Sequence, residues 1–182
     1  WWRSPASTRT PSWRSEAPVE IREGKALIGG QERSDVKIHY EDMGNPDDPA
    51  VLLVMGLGAQ LVLWREEFCS KLVDQGLRVI RFDNRDAGLS SHFHGQRTKG
   101  SQVGNMFRSL VGFKSPSVYT LEDMADDAAG LLDHLGIDRA HVVGASMGGM
   151  IAQVFAARHA ARTRALGVIF SSNTRALLPP PG

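Results

Sequence analysis

The pattern of apolar positions along the chain changes near residue 50. Before that point, apolar residues from Val36 to Tyr40 alternate with polar ones, the period of a strand with one wet face. With Val19–Ile28 and the turn signal Gly29-Gly30, this alternation predicts a hairpin or meander. Val51–Met55 is instead an unbroken apolar run, as expected of a strand that is covered on both faces.

Strand and helix signals alternate from there onward. Thr120 begins one predicted helix with a Thr-Leu-Glu-Asp capping box, and Gly76 and Gly136 are predicted to end two helices as C-caps. The predicted helices are 64–75, 120–135 and 147–160, and the further predicted strands are 78–82, 140–143 and 166–170. This order predicts an α/β fold: a mostly parallel sheet with helices on both faces and two antiparallel strands at one edge.

Two segments fall outside this pattern. Residues 84–118 are rich in Gly and Ser and are predicted to be irregular, with a short helix around Met106–Val111. Residues 1–18 have no apolar core of the signal-peptide type, and they are interpreted as a disordered leader or a non-native extension. Residues 19–182 are then assigned to a single domain without internal repeats.

Composition narrows the function classes. The formal net charge is +1, and the basic residues are scattered, which argues against nucleic acid as a partner. No apolar run approaches the ~18 residues that a membrane span needs. The single cysteine, Cys69, allows no disulfide within the chain, and we expect it to be a buried hydrophobe in a cytoplasmic protein. The sequence assigns no oligomeric state.

Gly144-Ala145-Ser146-Met147-Gly148 lies between a predicted buried strand and an apolar helix. A Gly-x-Ser-x-Gly turn in that context predicts a nucleophile elbow with Ser146 as the catalytic residue. Gly144 and Gly148 are required because the residues two before and two after the serine come close together. The alternative is a glycine-rich turn without chemistry, such as a phosphate-binding turn. The segment matches neither Gly-x-Gly-x-x-Gly nor a P-loop.

A serine that attacks a carbonyl also needs donors for the developing oxyanion. The backbone N–H of Met147, directly after the serine, is one predicted donor. The N–H of Leu57 is the other, because Gly56 and Gly58 permit a substrate to approach the backbone there. For Asp83–Asp86, after the next strand, we predict a structural role in which the charged residues brace one another and their loop.

These motifs together resemble the α/β-hydrolase superfamily, in the branch that includes aclacinomycin methylesterase and proline iminopeptidase-like proteins. The matching segments, in the family's order and spacing, are Met55–Gly58 with Trp64, Asp83–Ser90, Tyr119–Asp127 and Gly144–Gly149. The resemblance covers about residues 20–182. It implies a serine hydrolase that forms an acyl-enzyme on a small-molecule ester or amide, with no metal and no organic cofactor.

The chain departs from the family at several positions. Met55 stands where many members have a histidine, and Ser171–Thr174 where some place the triad acid. After Ser146 there is no Asp or Glu, and the only histidine, His159, lies 13 residues further along the predicted helix, about 20 Å away. His92 and His94 follow a central strand and are the alternative bases, which we do not favour. No role is predicted for the remaining histidines, which are His39, His134 and His141.

The leading hypothesis is therefore the N-terminal part of an α/β-hydrolase, truncated before the cap and the last two strands. By itself this chain should be inactive on carboxylic esters. The alternatives are a peptidase, thioesterase or perhydrolase on the same elbow, or a non-catalytic binding protein of the same fold. Truncation would leave the strand at 166–170 as a bare apolar edge, and it predicts poor solubility or marginal stability.

Overall fold

The computed structural model describes residues 19–29, 35–93 and 119–172. The strands are β1 (Ile21–Ile28), β2 (Val36–Met43), β3 (Ala50–Val54), β4 (Arg78–Phe82), β5 (Ala140–Ala145) and β6 (Thr163–Ile169). The α-helices are α1 (Glu66–Val73), α2 (Leu121–His134) and α3 (Met147–Arg158), and short 3₁₀ turns span Leu61–Leu63 and Ala160–Arg162. The short helix expected near residue 106 lies outside the described residues.

The described strands form one six-stranded sheet in the order β1-β2-β4-β3-β5-β6. β1 pairs with β2, and β2 with β4, in antiparallel orientation, whereas the other three pairs are parallel. This confirms the predicted fold, with two antiparallel strands at one edge of a mostly parallel sheet. Val54 lies opposite Phe82 on one side and Gly144 on the other. The segments that follow β3, β4 and β5 therefore leave the sheet at the same edge, where ligand sites of α/β sheets form.

Apolar side chains pack on both faces of this sheet. Leu52 and Val54 of β3 face the helices α2 and α3, whereas Val51 and Leu53 face α1 with Cys69. The alternation follows from the two-residue period of a strand. It confirms that Val51–Val54 is covered on both faces and that Cys69 is a buried hydrophobe, with its thiol directed at the Trp64 carbonyl, 3.7 Å away.

Several element boundaries differ from the predictions by a few residues, and the starts of α1 and β6 are two of them. α1 begins at Glu66 instead of residue 64, because Trp64 ends the short 3₁₀ turn and Arg65 is the N-cap. β6 begins at Thr163 instead of residue 166 and ends at Ile169. The predicted capping box of α2 is confirmed: the Asp123 N–H donates to Thr120 Oγ1, and the Thr120 N–H donates to the Asp123 carboxylate.

Within the described part of the chain, β6 pairs with β5 alone and forms the edge of the sheet. Its apolar residues Leu166 and Val168 are 42% and 43% exposed, and Phe170 just after it is 96% exposed. The expectation of a bare apolar edge here is confirmed. No helix in residues 19–29, 35–93 or 119–172 has the length and apolar character of a membrane span.

Candidate active site

Ser146 occupies the turn between β5 and α3 in a strained conformation. Its backbone angles are φ 57° and ψ −126°, a region that residues with a side chain rarely adopt. The side chain is exposed and makes no capping hydrogen bond to the helix that it precedes. The hydroxyl therefore stands at the amino end of α3, where the helix dipole favours negative charge.

Close packing of the backbone around the turn keeps Ser146 in this strained conformation. A Cβ on Gly144 would lie 2.6 Å from the amide nitrogen of Gly149 and still closer to the Gly148 carbonyl. A Cβ on Gly148 would lie 2.7 Å from the carbonyl oxygen of Met55. Both positions require glycine, as the sequence predicted for an elbow. The short distance at Gly148 also shows that the first turn of α3 packs directly on the end of β3.

The segment after β3 passes beside the serine. We call residues 55–61 the Gly56 loop. A Cβ on Gly56 would be 3.0 Å from Ser146 Cβ and 3.3 Å from Ser146 Oγ, both tighter than ordinary contacts, so the backbone of this loop passes close beside the serine. Gly58 has φ +64°, the left-handed region that glycine tolerates, and Leu57 between them is half-buried. The structure thus brings the loop of Leu57 together with Ser146 and Met147, and the oxyanion roles of the two N–H groups stay predictions.

The loop after β4 is connected to the Gly56 loop in a way that sequence reasoning missed. Asn84 Nδ2 donates to the Met55 carbonyl at 2.8 Å, and the Leu61 N–H donates to Asp83 Oδ1 at 2.8 Å. Asp83 Oδ2 accepts the N–H of Leu89 at 2.9 Å. The sequence does contain a signal for this contact, because Asp83 and Asn84 are polar and directly follow a central strand, and such residues lie at the sheet edge where sites form.

The prediction that the charged residues at 83–86 brace one another is wrong, whereas the predicted bracing of their loop is confirmed by the Leu89 N–H that donates to Asp83. Arg85 pairs with Asp127 on α2 through two hydrogen bonds of 2.6 and 2.7 Å, and its guanidinium lies 5.1 Å from the ring centroid of Tyr119. Both carboxyl oxygens of Asp83, by contrast, accept backbone N–H groups. The loop is therefore fixed to α2 and to the Gly56 loop, because its arginine faces the helix and not its own acids.

Burial and hydrogen bonding shift the pKa values of Arg85, Tyr119 and Cys69. Burial lowers the pKa of Arg85, but the hydrogen bond and charge of Asp127 outweigh burial and raise it. Burial and a hydrogen bond to Asp86 raise the pKa of Tyr119, which stays a neutral phenol. Burial also raises the pKa of the Cys69 thiol above its ordinary value. These shifts favour a permanent Arg85–Asp127 ion pair and an unreactive thiol.

The end of β6 completes the support of the elbow. The Ser146 N–H donates to the Ile169 carbonyl at 2.9 Å, and the Gly149 N–H donates to the Ser146 carbonyl at 2.9 Å. Gln153 on α3 donates to the carbonyls of Gly149 and Ser172. β6 therefore fixes the backbone of the serine, a contribution that the sequence pattern does not reveal.

Three of the described histidines contact groups other than Ser146. His159 Nε2 lies 2.9 Å from Asp126 Oδ1, at the far end of α3 from Ser146. The ring of His92 lies against the Gly88 carbonyl, His39 is buried in β2, and His134 contacts Tyr40. His159 is therefore held at the far end of α3, and His94 lies outside the described residues.

Two other features do not point to chemistry. In the described ranges, no group of three or more His, Cys, Asp or Glu residues could hold a metal ion. A surface depression of about 490 Å³ lies at the amino ends of β5 and β6, lined by Ile137, Asp138, Arg139 and Arg162 among others. Ser146 follows the opposite, carboxyl end of β5, so this depression is not part of the elbow site.

Comparison with known families agrees with this geometry. The sequence model of the alpha/beta hydrolase fold family matches residues 49–182, from the start of β3 through the elbow. The protein belongs to the α/β-hydrolase fold family.

The curated relatives of the chain are named as hydrolases. It is 31% identical over 124 residues to rhodomycin D methylesterase DauP of Streptomyces sp. (strain C5), covering 68% of this chain and 35% of that protein. It is 30% identical over 132 residues to the putative carbamate hydrolase RutD of Variovorax paradoxus (strain S110), covering 72% of this chain and 41% of that protein. The chain thus spans well under half the length of these relatives.

Solved structures show the same fold. A thermophilic esterase from Thermogutta terrifontis superposes with a TM-score of 0.60 at 29% identity, covering 83% of this chain and 46% of that one. 2-Hydroxy-6-oxo-6-phenylhexa-2,4-dienoate hydrolase from Rhodococcus sp. strain RHA1 superposes with a TM-score of 0.64 at 23% identity. That match covers 84% of this chain and 47% of the other, and it supports the fold alone.

Proposed function

We propose that this chain supplies the nucleophile and the oxyanion-binding backbone of a serine hydrolase that acts on small carboxylic esters through an acyl-enzyme. The observation that carries the proposal is the contact between the Gly56 loop and a strained, exposed serine at a helix amino terminus. The names of the methylesterase and carbamate hydrolase relatives are consistent with a small-molecule ester or related acyl substrate.

The proposed chemistry uses groups on both sides of the serine. Ser146 Oγ attacks the acyl carbon, the carbonyl oxygen becomes an anion, and the backbone N–H groups of Leu57 and Met147 stabilise that charge. Collapse of the tetrahedral intermediate expels the alcohol and leaves the acyl group on the serine oxygen. Water then releases the acid. These steps need no metal or organic cofactor.

The chain does not supply the usual partners that move the proton. No Asp or Glu follows Ser146, and His159 is held by Asp126 at the far end of α3. A serine without a general base is a poor nucleophile at neutral pH. We therefore expect minimal ester turnover by this chain. Because the Ser146 side chain is exposed, an added small base can reach it.

The test is the release of p-nitrophenol from p-nitrophenyl acetate by the chain and by Ser146→Ala, each with and without imidazole. We expect little release without imidazole. With imidazole we expect a wild-type burst above the background of the base, and Ser146→Ala should lack it. A rate equal in both proteins under every condition would contradict the proposed nucleophile, whereas fast turnover without imidazole that the mutation abolishes would contradict the absence of a base.

The proposal includes a reducing, cytoplasmic location. Its support is the single free cysteine, Cys69, which is buried. Fractionation of cells that express the protein tests this location: we expect it in the cytosolic fraction, and recovery in the secreted or membrane fraction would contradict the proposal.

A further inference from the structure

Two adjacent side chains at the end of β4 hold both ends of the Gly56 loop. Asn84 binds its first residue, by donating from Nδ2 to the Met55 carbonyl at 2.8 Å. Asp83 binds its last residue, by accepting the Leu61 N–H on Oδ1 at 2.8 Å. Asp83 and Asn84 are 2% and 3% exposed, so water does not compete effectively for these hydrogen bonds.

The sheet itself places the two residues there. β3 and β4 run in parallel with Val54 opposite Phe82, so the residues that follow each strand emerge side by side. Asp83 cannot shift freely, because its second carboxyl oxygen accepts the Leu89 N–H at 2.9 Å. The two residues are therefore a fixed support for the Gly56 loop.

The Met55 carbonyl is held from two directions. Asn84 donates to its oxygen from one side, and Gly148 in the first turn of α3 packs against it from another, where even a Cβ would lie 2.7 Å from that oxygen. This carbonyl belongs to the peptide unit that joins Met55 to Gly56. Rotation of that unit would move the next amide, the N–H of Leu57, relative to Ser146.

We infer that Asp83 and Asn84 are positioning residues that hold the Leu57 N–H where an oxyanion forms; this inference rests on the proposed function. Oxyanion donors are effective because they are already in place when the charge develops. Misplacement by about 1 Å can cost on the order of 100-fold in rate. The side chains of Asp83 and Asn84 bind backbone groups of the loop, so they act through the loop.

A boronic acid tests this positioning without requiring turnover. Phenylboronic acid has a trigonal boron atom that accepts an electron pair from Ser146 Oγ. A boron–oxygen bond forms, the hydroxyl proton goes to the buffer, and the product is a tetrahedral boronate anion that resembles the acyl-transfer intermediate. ¹¹B NMR distinguishes the trigonal from the tetrahedral species, and titration gives the dissociation constant of the adduct.

Three variants make the comparison specific. Asn84→Asp keeps the shape of the side chain but replaces the donor to Met55 with an acceptor. Asp83→Asn keeps one side-chain oxygen as an acceptor and replaces the other with an NH₂ donor. Ser90→Ala is the control: Ser90 Oγ donates to the Asp83 carbonyl at 2.6 Å and accepts the His39 N–H at 2.9 Å, so its loss affects the same region without touching the Gly56 loop. Thermal unfolding of each variant is recorded in parallel.

We expect Asn84→Asp and Asp83→Asn to weaken the adduct about tenfold or more, and Ser90→Ala to stay within about twofold of the wild type. If the two variants bind as tightly as Ser90→Ala, the positioning role is wrong while the proposed function stands. If the wild type gives no tetrahedral signal beyond that of Ser146→Ala, the proposed function fails and the inference with it. Should Asn84→Asp not fold, Asn84→Ser removes the same donor without a charge and has the same two outcomes.

Discussion

Replacing Gly144 with alanine tests whether the elbow is held by backbone packing. The new Cβ would lie 2.6 Å from the Gly149 nitrogen and closer still to the Gly148 carbonyl, whereas ordinary contacts begin at 3.4 Å, so the start of α3 must move by more than about 0.8 Å. The obstacles are backbone atoms, which cannot rotate away as a side chain can. Overpacking of this kind costs 1–3 kcal/mol and occasionally more, and we expect a loss of about 2–4 kcal/mol in the free energy of unfolding.

The matched control is Gly167→Ala on the neighbouring strand, where Gly167 pairs with the residue next to Gly144. The three atoms nearest to its Cβ would all belong to the side chain of Val143, the closest at 3.2 Å, and that side chain can adjust. Urea unfolding followed by circular dichroism should show a change of less than about 1 kcal/mol for the control. Equal midpoints and slopes for Gly144→Ala and wild type would refute the packing argument.

Three further predictions concern a buried ion pair, the buried thiol and the exposed edge strand. Asp127→Ala removes the carboxylate that pairs with the buried Arg85 guanidinium, and it should lower the free energy of unfolding in urea by about 3–5 kcal/mol. The control is Arg158→Ala at an exposed ion pair, where we expect a loss of under about 1 kcal/mol. A loss as small as that for Asp127→Ala would contradict a buried pair. Cys69 should react with a disulfide reagent at neutral pH only after denaturation, because burial raises its thiol pKa; rapid reaction of the folded chain would contradict this. Val168→Lys should reduce concentration-dependent association in sedimentation, because it adds charge to the exposed edge strand; unchanged association would mean that β6 is not the contact surface.

Local patterns were sufficient for much of the fold. The unbroken apolar run of β3 and the alternation in β2 predicted strands, and the capping box at Thr120 predicted the start of α2. The start of β6 was missed because Thr163 and Arg164 are polar. At a sheet edge, pairing with β5 fixes the backbone while the side chains stay in water, so no apolar signal is required.

In the candidate site, too, local features could be predicted from the sequence and long-range contacts could not. The elbow could be predicted because close approach of backbone limits Gly144 and Gly148 to glycine, which is a local requirement. The role of Asn84 could not, because its contact with Met55 spans 29 positions and depends on β4 lying beside β3. The Ile169 carbonyl that binds the Ser146 N–H is likewise a product of strand order.

The most direct test of the central claim is the site of acylation. The chain is incubated with p-nitrophenyl acetate and imidazole, and the product is analysed by intact mass and peptide mapping, with Ser146→Ala as the control. The account predicts one acetyl group per chain on Ser146, formed slowly without imidazole and absent from the variant. Acetylation at other side chains, at the same rate in both proteins, would contradict it.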